Sequence, residues 1–181
     1  MKVLLLNGSP RKGNTYAALE AVKKDLENVS DIQVKEIIAS DVNVSPCIAC
    51  ESCGSGNGCV FDDDPNDVIE AVVEADAVVF ATPVYWWGMT AQLKLIIDKM
   101  YSKADALGSS GKKVCLIITG EAEQDDPQYE LIPKQFGCIC DYLNWDIVCC
   151  RTFTAAKPSD LAADEKAMAE LKGIADALKQ N

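Results

Sequence analysis

Five short apolar runs, each followed by a stretch of helical period, constrain this chain more than any other feature. The runs are "KVLLLN" (2–7), "IQVKEIIA" (32–39), "AVVFAT" (77–82), "KVCLIIT" (113–119) and "DIVCCRTF" (146–153). Most read as strands buried on both faces, whereas 32–39 alternates and reads as a strand nearer an edge. Between them, 14–26 carries apolar residues at Ala18, Val22 and Leu26. Asp64 then reads as an N-cap with Pro65 at the first helical position, opening a helix to about Glu74. Residues 90–100 present Leu93, Ile96, Ile97 and Met100 on one face. A further helix is expected over 128–143, interrupted or bent near Gly137, and a last one over 160–178.

Strands alternating with helices predict an α/β fold with three αβα layers and a five-stranded parallel sheet. Right-handed crossovers leave few topologies. The flavodoxin-like order 2-1-3-4-5 places its ligand at the carboxyl ends of the first and third strands. The chain has 181 residues, 49% of them hydrophobic. It therefore reads as one domain, 1–181, with a cysteine-rich loop over 45–62.

Charge and composition remove several functions. The net charge is −11, which argues against nucleic acid, whose phosphates need a cationic face. No basic amphipathic helix suggests a membrane surface, and no apolar run is long enough to span one. Residues 1–7 are too short for a signal peptide, so the reading places the chain in the cytoplasm. There is no histidine, which excludes Ser-His-Asp and Cys-His catalysis. An enzyme of this composition draws its chemistry from a cofactor.

The first strand runs into "GSPRKGNT" (8–15). Gly8, Gly13 and Thr15 match the G-x-x-x-x-G-K-[ST] spacing of a phosphate loop, but Asn14 stands where the lysine belongs. Pro10 also deletes one N–H from the loop. Ser9 and Thr15 offer hydroxyls, Asn14 an amide and Arg11 a forked cation, at a helix start that favours anions. That set suits one terminal phosphate better than a triphosphate. The alternative is a polar turn with an incidental arginine.

The third strand leads into "TPVYWWGMTAQLK" (82–94). Pro83 holds Thr82 extended. Tyr85, Trp86 and Trp87 then follow at the carboxyl end of a strand, where a flat apolar ligand would meet aromatic faces and backbone N–H groups. Core or dimer contact is the alternative use of such a run.

Together the two loops resemble those of the flavodoxin-like NAD(P)H-dependent FMN reductases. The resemblance covers nearly the whole chain and implies bound FMN, with NAD(P)H as co-substrate. It maps the phosphate to Ser9, Arg11, Asn14 and Thr15. It maps the flavin ring to Pro83, Val84, Tyr85, Trp86, Trp87 and Gly88, with Thr119 and Gly120 at its far edge. It also implies a homodimer or homotetramer. Electrons would pass from NAD(P)H through FMN to a flavin, a quinone or a redox-protein partner. No catalytic side chain is assigned, because the flavin carries the chemistry.

The loop "CIACESCGSGNGC" holds Cys47, Cys50, Cys53 and Cys59 in the spacing C-x2-C-x2-C-x5-C. Four close thiolates suit a [4Fe–4S] cluster. A zinc site, free thiols or a labile Cys47–Cys50 disulfide are the other readings. The spacing is similar to the compact motif of iron–sulfur flavoproteins, a branch of the same family, in which ferredoxin can replace NAD(P)H as donor. The remaining cysteines, 115, 138, 140, 149 and 150, read mostly as small core residues. Two rival functions stand beside the reductase: a flavodoxin-like electron carrier, and a P-loop NTPase that would need the absent lysine.

Overall fold

Val3, Leu4, Leu5 and Leu6 are all buried, but they serve two different cores. Successive strand residues point to opposite faces, so Val3 and Leu5 join one layer of packed side chains, and Leu4 and Leu6 the other. A strand with no polar face needs cover on both sides. The chain supplies it with helices above and below one sheet.

The computed structural model describes residues 1–56, 58–61 and 63–179. Asn57 and Asp62, both within the 45–62 loop, and Gln180 and Asn181, at the end of the expected 1–181 domain, lie outside the described residues.

The strands are β1 (Lys2–Asn7), β2 (Gln33–Ile38), β3 (Ala77–Pro83), β4 (Lys113–Gly120) and β5 (Asp146–Thr154). All pairings are parallel and the order is β2-β1-β3-β4-β5, as expected. The alternating run indeed lies at an edge, as β2. The helices are α1 (Asn14–Glu27), α2 (Pro65–Glu74), α3 (Ala91–Lys99), α4 (Ala104–Gly108), α5 (Gln128–Leu143), α6 (Asp160–Ala163), α7 (Glu165–Lys172) and α8 (Ile174–Lys179). Helices α2 to α5 cover the Leu4 face, where the rings of Phe80 and Phe136 meet at 4.9 Å. Helices α1 and α6 to α8 cover the Val3 face.

Three local expectations change. Asp64 holds the N-cap position of α2 with Pro65 opening the helix, as expected, but its carboxylate accepts from the Asn43 N–H at 2.7 Å and makes no capping bond. Asp63 does the same for the Ser45 N–H, also at 2.7 Å, so the two aspartates fasten the entry of the cysteine loop. Helix α5 runs unbroken through Gly137, because buried Phe136 and Cys140 anchor it on either side. The single helix expected over 160–178 is three helices. Asp164 adopts an extended ψ of 99° and its carboxylate accepts from Lys166 and Ala167, which caps a new start. Gly173 marks the second break.

Lys112 shows how far the fold goes to satisfy a helix end. It is buried, and its ammonium donates to the carbonyls of Val73 (2.9 Å) and Ala75 at the end of α2. Among the described residues no helix is long and apolar enough to cross a membrane.

Candidate functional site

Parallel strands bring their carboxyl ends to one edge of the sheet, and there β1, β3, β4 and β5 enclose a cleft of about 150 Å³. Its walls include Ser9, Arg11, Asn14, Thr15, Pro83, Val84, Tyr85, Thr119 and Gly120. Nine of the residues singled out from the sequence thus meet at one place. Trp86, Trp87 and Gly88 do not line it.

The loop after β1 is held in place before any ligand arrives. Gly8 donates to the Ala81 carbonyl at 2.7 Å, and Thr90 Oγ1 donates to the Gly8 carbonyl at 2.7 Å. A Cβ on Gly8 would stand 3.0 Å from the Ala81 oxygen and 3.1 Å from Leu93 Cβ, so glycine is needed for this approach. Ser9 Oγ donates to the Arg11 carbonyl at 2.7 Å, closing the turn. Thr15 and Thr119, both buried, share a hydrogen bond of 2.6 Å between their hydroxyls. The N–H groups of the first turn of α1 precede the first helical bond, Ala17 to Gly13 at 2.9 Å. They are the free donors of a helix start.

Asn14 works differently from the sequence expectation. Both hydrogens of its amide are committed to the carbonyls of Ala155 (3.1 Å) and Lys157 (2.8 Å), and its oxygen accepts from the Leu161 N–H. Its side chain braces the loop after β5 against α1 and has no donor left for a phosphate. Arg11 is the opposite case. It is exposed, takes part in no ion pair among the described residues, and its Nε lies 3.5 Å from where a Gly13 Cβ would stand. Two buried amide nitrogens have no partner among the described residues: Gln128 Nε2 is one, and Asn7 Nδ2, behind the first loop, is the other. Gln128 Nε2 lies 2.7 Å from where a Gly120 Cβ would stand.

Beyond the cleft, Tyr85 and Gly88 exchange backbone hydrogen bonds of 2.9 and 3.0 Å across a tight turn. Its central residues, Trp86 and Trp87, sit at φ 48° and 58°, a left-handed region that bulky side chains rarely adopt. Trp86 is 92% exposed and Trp87 is held by its indole N–H on Asp126 at 3.2 Å. This is an aromatic pair displayed on a strained turn, next to Tyr85 of the cleft wall.

The cysteine loop forms a second site. Cys47, Cys50, Cys53 and Cys59 all line one cavity of about 410 Å³, closed on its other side by Asp98, Lys99, Tyr101 and Ser102. Cys59 is clamped by Asn66, whose amide accepts from its N–H at 2.9 Å and donates to its carbonyl at 3.0 Å. Gly58, at φ 82°, lies so close that a Cβ would fall 2.6 Å from the Asn66 oxygen. Hydrogen bonds from Ser52 pull the Cys50 thiol below its ordinary range, with a small contribution from the Lys99 charge. Lys99 Nζ lies 3.2 Å from Cys59 Sγ. Among the described residues no three ligating side chains converge on one point. The donor set nevertheless fits a thiolate-bound group: four sulfurs on one cavity, beside a buried cation.

The model of the NADPH-dependent FMN reductases matches residues 1–136. The chain belongs to that family. An FMN reductase fold accounts for the convergence of the first loop with the loops after β3 and β4. Among curated proteins, an iron–sulfur flavoprotein of Archaeoglobus fulgidus is 41% identical over 101 residues, 55% of this chain and 46% of that protein. An iron–sulfur flavoprotein of Clostridioides difficile is 30% identical over 122 residues, 66% of this chain and 53% of that one. The chain thus spans about half the length of the curated relatives it matches. An FMN-dependent NADH-azoreductase of Bacillus anthracis, solved with FMN, superposes with a TM-score of 0.74 over 99% of this chain and all of that one. At 12% identity the likeness is one of fold.

Within this reductase fold the sequence reading missed Glu121, Ala155 and Ala156, which complete the cleft. The position of β5 at the same sheet edge was the available signal. It also missed Asn66 and Lys99, which act on the cysteine loop from helices α2 and α3.

Proposed function

We propose that the chain is an FMN-dependent oxidoreductase passing electrons from NAD(P)H to an acceptor. The observation that carries this is the meeting of Ser9, Arg11, Thr15, Pro83, Val84, Tyr85, Thr119 and Gly120 on one cleft at the carboxyl edge of the sheet. Arg11 and the first-turn N–H groups of α1 would take the phosphate, which is the anion a helix start favours. The Ser9 and Thr15 hydroxyls keep the loop closed around it. The backbone from Pro83 to Tyr85 and from Thr119 to Gly120 would meet the polar edge of the ring. A cleft of about 150 Å³ is below the roughly 300–1,000 Å³ of an enclosing ligand pocket. It would therefore seat the phosphate end and leave much of the ring open to a second reactant. FMN, when bound, supplies the exchange of a hydride for single or paired electrons.

The cysteine loop supports a second feature of the same reading. Cys47, Cys50, Cys53 and Cys59 would hold a [4Fe–4S] cluster, in which case ferredoxin can serve as donor and the chain as an electron carrier. The observation favouring this is the single cavity shared by all four thiols and Lys99. The relatives named iron–sulfur flavoprotein support it independently. Exposed Tyr101, Leu131 and Tyr142 on the α3–α5 side support a homodimer or homotetramer.

The test is anaerobic purification followed by a visible spectrum, iron and sulfide assays, and NADH and NADPH oxidation with an added acceptor. Flavin bands near ~450 nm and steady turnover are expected. A shoulder near ~400 nm that bleaches with dithionite would mark the cluster. Protein that stays colourless after incubation with FMN contradicts the flavin reading. Flavin without any turnover of NAD(P)H leaves the carrier.

A further inference from the structure

Lys99 closes α3 and is 3% exposed, yet it has no carboxylate partner among the described ion pairs. Its neighbour Asp98 is paired with Lys94 instead. Among the described residues the ammonium has two contacts: Cys59 Sγ at 3.2 Å, and the face of the Phe61 ring, whose centroid lies 4.1 Å away. A cation near a helix carboxyl end gains from the dipole, but that gain needs no burial. Burying an ammonium without a counter-anion is costly. A neutral thiol is a weak acceptor and does not offset it. A negative charge on the Cys59 sulfur would supply the counter-anion that the ammonium lacks.

We infer that Lys99 is the counter-cation of the thiol site, positioned to stabilise negative charge on the sulfurs around Cys59 and so to raise the site's affinity for an electron. The inference rests on the cluster reading above. A thiolate-held cluster carries net negative charge and gains one more on reduction, and hydrogen bonds to its sulfurs and nearby charges set its potential. Lys99 supplies both: one N–H on Cys59 and, among the described residues, the one cation in a wall that also carries the carboxylates of Glu51 and Asp98, neither of which pairs with it among the described ion pairs. Cys59 is fixed from the other side by Asn66. Asn66 thus holds the Cys59 backbone in place beside the buried ammonium. Lys99 is a positioning residue; it binds neither the iron nor a substrate.

The experiment compares reconstituted wild type, Lys99→Met, Lys99→Gln and Lys99→Arg. Iron and FMN per chain are measured, then the cluster potential by anaerobic redox titration, with FMN content as the check on folding. Lys99→Met and Lys99→Gln are expected to keep FMN and to lower the affinity for one electron about tenfold or more, close to 59 mV for a one-electron couple. Lys99→Arg is expected to stay near wild type. Loss of iron from the two neutral variants, with FMN retained and iron restored by Lys99→Arg, supports the same role. A wild-type potential in Lys99→Gln overturns it, as does loss of iron from Lys99→Arg alongside retained FMN. Should Lys99→Met fail to fold, the Gln and Arg variants decide. Wild type that binds no iron and sulfide overturns the cluster reading, and the counter-cation role falls with it. Wild type that binds them while the neutral variants keep their potential overturns the role alone.

Discussion

Thr15 Oγ1 and Thr119 Oγ1 lie 2.6 Å apart, joining the first turn of α1 to the end of β4 inside the candidate flavin cleft. Both residues are buried, so neither hydroxyl can turn to water when its partner is lost. Thr119→Val should destabilise the fold by about 1–3 kcal/mol, the cost of stranding one buried hydroxyl. The double variant Thr15→Val/Thr119→Val should recover part of that loss, because nothing is then left unpaired. Urea unfolding of Thr15→Val, Thr119→Val and the double variant checks this. Additive losses would mean that the contact is incidental.

Gly58 sits at φ 82°, and a methyl group added there would stand 2.6 Å from the Asn66 oxygen. Gly58→Ala therefore combines backbone strain, of order 1–3 kcal/mol, with a clash against the clamp on Cys59. The expected outcome is reduced iron per chain with FMN binding unchanged, since the two sites share no lining residue. Iron and flavin assays on one preparation measure both. Iron content equal to wild type would contradict the role given to the clamp.

Trp86 occupies a left-handed turn position at φ 48° and is 92% exposed. Asparagine tolerates that conformation far better. Trp86→Asn should raise stability by about 1 kcal/mol, the lower end of the strain in such positions. FMN affinity should stay within about twofold, because the side chain is absent from the cleft that would seat the phosphate and a twofold change is well under 1 kcal/mol. The KM for an aromatic acceptor is the quantity expected to rise. A large loss of FMN binding instead would place Trp86 on the flavin.

Cys140 packs in the core from α5, and burial pushes its thiol from the ordinary 9.0 up to about 12. The folded state therefore holds this proton more tightly than the unfolded chain. Its contribution to stability is complete below pH 9.0 and is lost as the pH rises towards about 12. Cys140→Ala should show a shallower fall in stability above pH 9.0 than wild type. Denaturation midpoints from about pH 8 to about pH 11 test the slope, and parallel curves would contradict it.

The layers, the strand order and the meeting of the loops after β1, β3 and β4 were legible because they follow from periodicity and crossover handedness. What was not legible depended on side chains choosing between partners. Asn14 has the chemistry of a phosphate ligand, but the Ala155 and Lys157 carbonyls claim its hydrogens from residues over a hundred positions away. Asp64 has the chemistry of a helix cap, yet the nearer demand is the Asn43 N–H. Trp86 and Trp87 follow the right strand, but the turn hydrogen bonds between Tyr85 and Gly88 swing them outward. Lys99 carried no local signal at all. It looks like a basic residue in a last helical turn until Cys59 and Phe61 are folded over it.

The central claim is that the cleft at the sheet edge seats FMN by its phosphate, and Arg11 tests it most directly. Affinities for FMN and riboflavin, measured by flavin fluorescence quenching, should be compared in wild type and Arg11→Ala. Wild type should prefer FMN. Removing the guanidinium should weaken FMN by roughly 10–100-fold, the value of a charge-assisted hydrogen bond of about 1.5–3 kcal/mol, and leave riboflavin nearly unchanged. Equal losses for both flavins, or no preference for FMN in wild type, would contradict the account.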